Sequence, residues 1–234
     1  LKAKKRRLKI ISFSKKNKSN IKLEKIISFK NLSTIKININ GRSKNFIIKR
    51  NLEFYIENIL ASLAVISIYL DLNDINEKFF FNYNLPEGRG DYKCIRINKK
   101  KIHLIDESYN SNPLSLKFAL ENFSKLRTKS KRKIILLGDM LELGKFSKKL
   151  HKEAAKIVNN TSINNVYVFG KKIINTFNKI RPQKRGKILH SSKDVSNFLY
   201  NDIKDGEYLM IKGSNSTGLN NISKNLKSGK INVI

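Results

Sequence analysis

Several residue types are nearly absent from this sequence, and each absence removes a class of function. One cysteine, Cys94, allows no internal disulfide and no cysteine-based zinc site, so nothing requires an oxidising compartment. Cys94 stands in the alternating run 92–97, which predicts a small buried hydrophobe rather than a nucleophile. The three histidines, His103, His151 and His190, lack metal-ligand spacing and a neighbouring nucleophile, and no Ser-His-Asp arrangement emerges. No glycine run leads into Lys-Ser or Lys-Thr at the spacing of a nucleotide phosphate loop. No apolar run is long enough to span a bilayer, and the basic start Leu1-Lys2-Ala3-Lys4-Lys5-Arg6-Arg7 leads into no signal-peptide core. The first residue is leucine, which points to a piece of a longer chain.

Acidic residues are the other scarcity: 18 Asp and Glu stand against 49 Lys and Arg, a formal net charge of +31. A nucleic-acid binder is one reading, since lysines neutralise phosphates. Against it, the lysines are spread over almost every segment, including mid-helix positions such as Lys117, Lys125 and Lys156. Nor do aromatics interleave with them as a stacking platform requires. The joint abundance of Lys, Asn and Ile fits a compositional bias acting on solvated positions. Such a charge favours polyanions non-specifically and implies no specific nucleic acid.

What is present divides the chain in two. With 234 residues it can bury a substantial core, as one large domain or two smaller ones. Residues 9–14, 21–29, 34–39 and 45–49 read as strands, with Asn40-Gly41 a strong hairpin signal because both residues tolerate positive φ. Helical spacing of Ile56, Ile59, Leu60, Leu63, Ile66 and Leu70 predicts a helix over 52–70, and a second, shorter helix is expected at 74–83. The stretch Leu85-Pro86-Glu87-Gly88-Arg89-Gly90 then breaks all periodicity and marks a domain junction.

Beyond it strands alternate with helices. Strands are expected at 92–97, 101–105, 133–138, 165–170, 187–190 and 207–212, with helices at 112–127, 147–159, 172–180, 193–203 and 217–226. Repeated units of this length build an α/β doubly wound, Rossmann-like sheet. The run 133–138 is continuously apolar, as a strand buried on both faces requires.

Three strand exits carry the chemistry, because carboxyl-end loops of one parallel sheet converge. The first is Asp106-Glu107-Ser108-Tyr109-Asn110-Ser111-Asn112-Pro113, in which Asn112 is a good N-cap and Pro113 suits the first helical position. It suits a ligand site beside free helix N–H groups, and equally an ordinary capped turn. The second is Gly138-Asp139-Met140-Leu141-Glu142-Leu143-Gly144. The third, Lys212-Gly213-Ser214-Asn215-Ser216, offers a lysine and N–H groups to an anion or carboxylate, or else a serine cap to the last helix.

Taken in order and spacing, the three loops resemble the Mur ligase family. Residues 106–113 are similar to its Asp-Asp-Ser-Tyr-Asn-Ala-Asn-Pro signature and 138–144 to its Gly-Asp-Met-Xaa-Glu-Leu-Gly, with His151 where a His is usual. Ile211-Lys212-Gly213-Ser214 is similar to its last-strand motif, and Gly88-Arg89 stands where the family has Gly-Arg. The combination points to the branch that adds D-alanyl-D-alanine to UDP-N-acetylmuramoyl-tripeptide in peptidoglycan synthesis. The resemblance covers 88–234 and extends upstream more weakly. Asn58 matches a family Asn, while Phe54 and Leu52 stand where His and Gly are usual. It implies that 88–234 is the C-terminal α/β domain and 1–87 the β-rich and helical end of the central ATPase domain. The phosphate loop, the Mg2+ ligands and the uridine-nucleotide domain are then expected upstream of residue 1, in missing N-terminal and central ligase domains.

The reaction so implied is ATP-driven amide formation through an acyl phosphate, in the bacterial cytoplasm. By resemblance Arg89 reaches the nucleotide phosphates from the hinge, Asn58 contacts the nucleotide, and one of Asp106 and Glu107 holds the ribose hydroxyls. Tyr109, Asn110 and Asn112 would line the dipeptide side, with Lys212 and Ser214 nearby. Glu107 departs from the family's Asp, Asn215 from a common Arg and Asn220 from a common Glu. Without the phosphate loop this polypeptide is expected to be inactive by itself. A non-catalytic ligase remnant and a basic α/β nucleic-acid binder remain as alternatives.

Overall fold

The computed structural model describes residues 10–128 and 131–229. The basic start at 1–7 and Lys9, with which the first expected strand opens, lie outside the described residues. The chain divides into two compact units, Leu1–Asn84 and Leu85–Ile234.

In the first unit β1 (Phe13–Ser14), β2 (Ile21–Phe29), β3 (Leu32–Ile39) and β4 (Arg42–Lys49) form a sheet in sequence order. Only the first pair is parallel. Asn40 and Gly41 turn β3 into β4 with φ of 49° and 95°, as a two-residue hairpin demands. Alternation puts Ile35, Ile37, Ile39, Phe46 and Ile48 on one buried face. Helix α1 (Ile56–Ile66) buries Ile56, Ile59, Leu60 and Leu63 along one stripe. It is shorter than the periodicity of 52–70 predicts, because Arg50–Tyr55 winds as a 3-10 turn and the chain leaves the helix after Ile66.

The helix expected at 74–83 does not form; the segment is a series of turns. Side chains in and just before it take backbone donors: Asn76 accepts the N–H of Lys78 at 2.8 Å and Asp71 that of Asn73 at 2.9 Å. Ile75 and Phe80 are still buried, so the apolar spacing reflected packing rather than helicity.

The second unit holds β5 (Asp91–Ile97), β6 (Lys100–Glu107), β7 (Lys133–Gly138), β8 (Asn165–Phe169), β9 (Arg185–Leu189) and β10 (Tyr208–Lys212). They form one sheet in the order β5-β6-β10-β7-β8-β9, parallel except for β5. Helices α2 (Pro113–Lys125), α3 (Ser147–Asn159) and α4 (Ile174–Phe177) share one core with Ile105, Ile135, Leu137 and Met210 of the strands. Helices α5 (Ser192–Asn197) and α6 (Leu219–Lys227) share the other with Leu104, Ile134, Leu136, Leu209 and Ile211. Strand residues thus alternate between two cores, which is the doubly wound arrangement. β7 is buried at every position.

Two helices are shorter than the pattern predicts. Only Ile174–Phe177 is α-helical within 172–180, and α5 gives way to a π-helical turn, Phe198–Asp202. Cys94 is exposed rather than buried. β5 is an edge strand: Ile95 and Ile97 face a core, while Tyr92, Cys94 and Arg96 point to the opposite, uncovered side.

A candidate ligand site at the carboxyl rim of the parallel sheet

β10 lies between β6 and β7, and its last residue sets the level of the rim. Lys212 is in register with Glu107 on one side and Leu137 on the other, so three strands end together. Gly138 and Gly213 meet just beyond. A Cβ on Gly213 would stand 3.2 Å from the Gly138 Cα, and one on Gly138 would stand 2.7 Å from Leu219 Cδ1. Neither loop could come so close with a side chain at either position.

Lys212 is the chemical centre of the rim. Its side chain is 1% exposed, donates to the Asn110 carbonyl at 3.0 Å and lies 3.6 Å from Glu107 Oε2. Burial pushes its ammonium pKa down, and Glu107 acts against that shift. A desolvated cation with one carboxylate partner is suited to receive a second anion. Ser214 is also buried; its Oγ accepts the Leu141 N–H at 3.0 Å and donates to the Ser111 carbonyl at 3.3 Å. It therefore ties the three exits together and does not cap a helix, since neither the following turn nor α6 takes a side-chain cap.

The acid pair separates across the sheet. Asp106 is 2% exposed and faces the α6 side, where Lys227 Nζ approaches Oδ2 at 2.7 Å and the Ser108 N–H and hydroxyl donate to Oδ1. Burial would raise the Asp106 pKa, but the bonds from Lys227 and Ser108 outweigh it and hold the carboxyl below the ordinary range. Glu107 points to the other face and is partly exposed beside Lys212.

Arg89 comes to the same loop. Gly90 N–H donates to the Asp106 carbonyl at 2.7 Å, Tyr109 N–H to the Gly88 carbonyl at 3.1 Å, and the Arg89 guanidinium lies 4.4 Å from the Tyr109 ring centroid. Asn112 caps α2 by accepting the Ser115 N–H at 2.8 Å, and Asn110 and Tyr109 are exposed at the rim. Asn58 is exposed on the first turn of α1, in the first unit.

Three other motif positions, one in the second loop and two on helices, make structural bonds. Asp139 Oδ1 accepts the N–H groups of Lys172 and Ile173, at 3.0 and 2.7 Å. His151 is fully buried; its Nε2 accepts the Met140 N–H at 3.1 Å, so the proton sits on Nδ1, facing the Ser147 carbonyl at 2.8 Å. Asn220 donates to Asn215, so the two positions where the resemblance expects Glu and Arg hold a neutral amide pair.

The family model described as Mur ligase, glutamate ligase domain, matches residues 93–215. The chain belongs to the Mur ligase family. The UDP-N-acetylmuramoyl-tripeptide–D-alanyl-D-alanine ligase of Rickettsia prowazekii is 27% identical over 216 residues, covering 91% of this chain and 46% of that protein. The ligase of the same name from Buchnera aphidicola is 33% identical over 168 residues, covering 66% of this chain and 36% of that protein. Among solved structures, MurF ligase from Thermotoga maritima in complex with ADP aligns with a TM-score of 0.72 at 18% identity, over 97% of this chain and 51% of that one. This Mur ligase chain thus spans less than half the length of the two curated relatives. Among the described residues no helix is long and apolar enough to cross a membrane, and no group of three or more His, Cys, Asp or Glu could hold a metal ion. The exposed Arg89 and buried Lys212 are cations of the kind that suits an anionic nucleotide.

Proposed function

We propose that this chain supplies the C-terminal part of an ATP-dependent ligase that adds D-alanyl-D-alanine to UDP-N-acetylmuramoyl-tripeptide. In this reading residues 88–234 are the C-terminal α/β domain, and residues 1–87 are the end of the central ATP-binding domain. The observation that carries it is the convergence of Lys212, Glu107, Ser214 and the Arg89 turn on one rim of the sheet. ATP, when bound, activates the tripeptide carboxylate as an acyl phosphate for attack by the dipeptide amine.

Each residue then has a physical task. The Arg89 guanidinium can make two parallel hydrogen bonds to phosphate oxygens. Asn58 contacts the nucleotide. Of the acid pair, Glu107 is the partly exposed one beside Lys212 and is assigned the ribose hydroxyls, whereas Asp106 is 2% exposed and held by Lys227 and Ser108. Tyr109, Asn110 and Asn112 line the dipeptide side, where Lys212 and Ser214 offer a cation and a hydroxyl to its carboxylate. Mg2+ ligands belong to the central domain of the partner portion of the ligase, as does the phosphate loop.

The test is D-alanyl-D-alanine-dependent ADP release by a polypeptide of these 234 residues, alone and with the complementary portion of a ligase. Turnover is expected only with the complement. Turnover by the chain alone, or none with any functional complement, overturns the reading.

A further inference from the structure

The last helix ends in a lysine that joins two strands at the foot of the Arg89 turn. Asp91 and Asp106 are directly opposite each other in the β5–β6 ladder. Two like charges in that position repel and would splay the strands where the turn begins. Lys227 resolves the conflict: its Nζ lies 2.9 Å from Asp91 Oδ2 and 2.7 Å from Asp106 Oδ2, on a side chain only 11% exposed. The remaining oxygens of the two carboxylates fasten the backbone around the turn. Asp91 Oδ1 accepts the Gly88 N–H at 2.8 Å, and Asp106 Oδ1 accepts the Ser108 N–H at 3.0 Å. The Asp106 carbonyl takes the Gly90 N–H at 2.7 Å, and the Gly88 carbonyl takes the Tyr109 N–H at 3.1 Å. Between these fixed glycines stands Arg89, its guanidinium over Tyr109.

We propose that Lys227 is the positioning residue of the Arg89 turn. By bridging Asp91 and Asp106 it holds Gly88–Gly90 against the loop after β6 and so fixes where the guanidinium stands. Lys227 touches no reacting group in this scheme; it acts through two carboxylates and the amides they bind. A neutral side chain of the same length would leave a buried carboxylate, Asp106, beside a partly exposed one, Asp91, with no cation between them, and their relief is movement of β5 away from β6. The consequence for nucleotide affinity rests on the reading that Arg89 contacts phosphates; the geometric part does not.

The experiment uses the whole 234-residue chain with Lys227→Met and Lys227→Arg. Amide exchange at Gly88 and Gly90 and the Arg89 Nε–H resonance, shifted by the Tyr109 ring, are followed by NMR, and ATP is titrated in parallel in the presence of the complementary ligase portion. In Lys227→Met the two amides should exchange about tenfold faster and the Arg89 resonance should lose its ring shift, while the β7 amides keep their protection. Lys227→Arg should restore both, since a guanidinium can also bridge two carboxylates. ATP affinity should fall with the loss of the Arg89 shift.

Unchanged Gly88 and Gly90 exchange, or equal acceleration across β7 and β8, overturns the proposal. If Lys227→Met does not fold, Asp91→Ala takes its place. It should free Gly88 and shift the Arg89 resonance while Asp106 stays paired, and an unshifted resonance again overturns it. Intact coupling between Lys227 and Arg89, with ATP affinity unchanged by Lys227→Met when the complementary ligase portion is present, would refute the nucleotide role and leave the positioning role standing.

Discussion

The two units of this chain treat apolar surface differently. The second encloses its sheet between two layers of helices, and its strands feed alternate residues into two separate cores. The first covers one sheet face and leaves the other open: Phe29 lies directly across from Leu32, and Ile27 from Thr34, and all three apolar side chains are exposed. Past the end of α1 the same holds, with Tyr69 at 79% and Leu70 at 60% exposure. Contiguous apolar patches of this kind mark surfaces that meet another polypeptide. The difference shows that residues 85–229 contain the second layer their sheet needs, whereas no described residue covers the outer face of the first sheet.

The most direct way to break that comparison is to separate the units. Residues 85–234 alone should unfold cooperatively in urea, and residues 1–84 alone should bind a hydrophobic dye and self-associate; a monomeric, cooperatively folding, dye-free 1–84 would erase the contrast. Next in size is Gly88→Ala in the second unit. A Cβ there would stand 2.9 Å from the Tyr109 backbone nitrogen, at a φ of 72°, so the loss should be roughly 2–3 kcal/mol by denaturant titration. A loss below about 0.5 kcal/mol would mean the turn is loosely held.

The acid limb of stability gives a smaller effect. Because the Asp106 pKa is lowered in the folded state, its contribution is present above the ordinary Asp value and lost as pH falls through the lowered one. The parent should therefore lose stability below about pH 4 more steeply than Asp106→Asn, which should be weaker by roughly 2 kcal/mol at neutral pH. Parallel curves would remove Asp106 from the account. Smallest is Phe29→Lys, which should change stability by less than about 0.5 kcal/mol yet reduce dye binding. A large loss would show that this face is covered after all.

What the sequence made legible was local. Asn40-Gly41 carries its turn in its own backbone preferences, and Asn112-Pro113 carries its helix start. The family motifs located the three strand exits because each is a short contiguous run. The 74–83 segment misled because apolar spacing cannot tell a helix from a packed succession of turns. Cys94 misled because alternation does not reveal whether an edge strand is covered on its second face. The bridge from Lys227 to Asp91 spans 136 residues, and nothing in either neighbourhood announces it.

The charge excess also acquires a partial physical explanation. Lys133 donates to the Ser124 carbonyl at the end of α2, Lys184 to Val158 and Thr161 after α3, and Lys100 to Tyr200 and Ile203. Each donates to carbonyls at or just past a helical C-terminus, a use of lysine that composition alone presents as polyanion affinity.

The place of β10 has a temporal consequence. Until residues 208–212 emerge from the ribosome, β6 and β7 have no neighbour to join them, and the middle of the sheet stays an open slot. The strand that fills it is the last of the six to be made, and it brings Lys212 and Ser214 with it. All five other strands therefore precede the assembled rim, and a chain ended before residue 208 is left with two half-sheets with exposed edges.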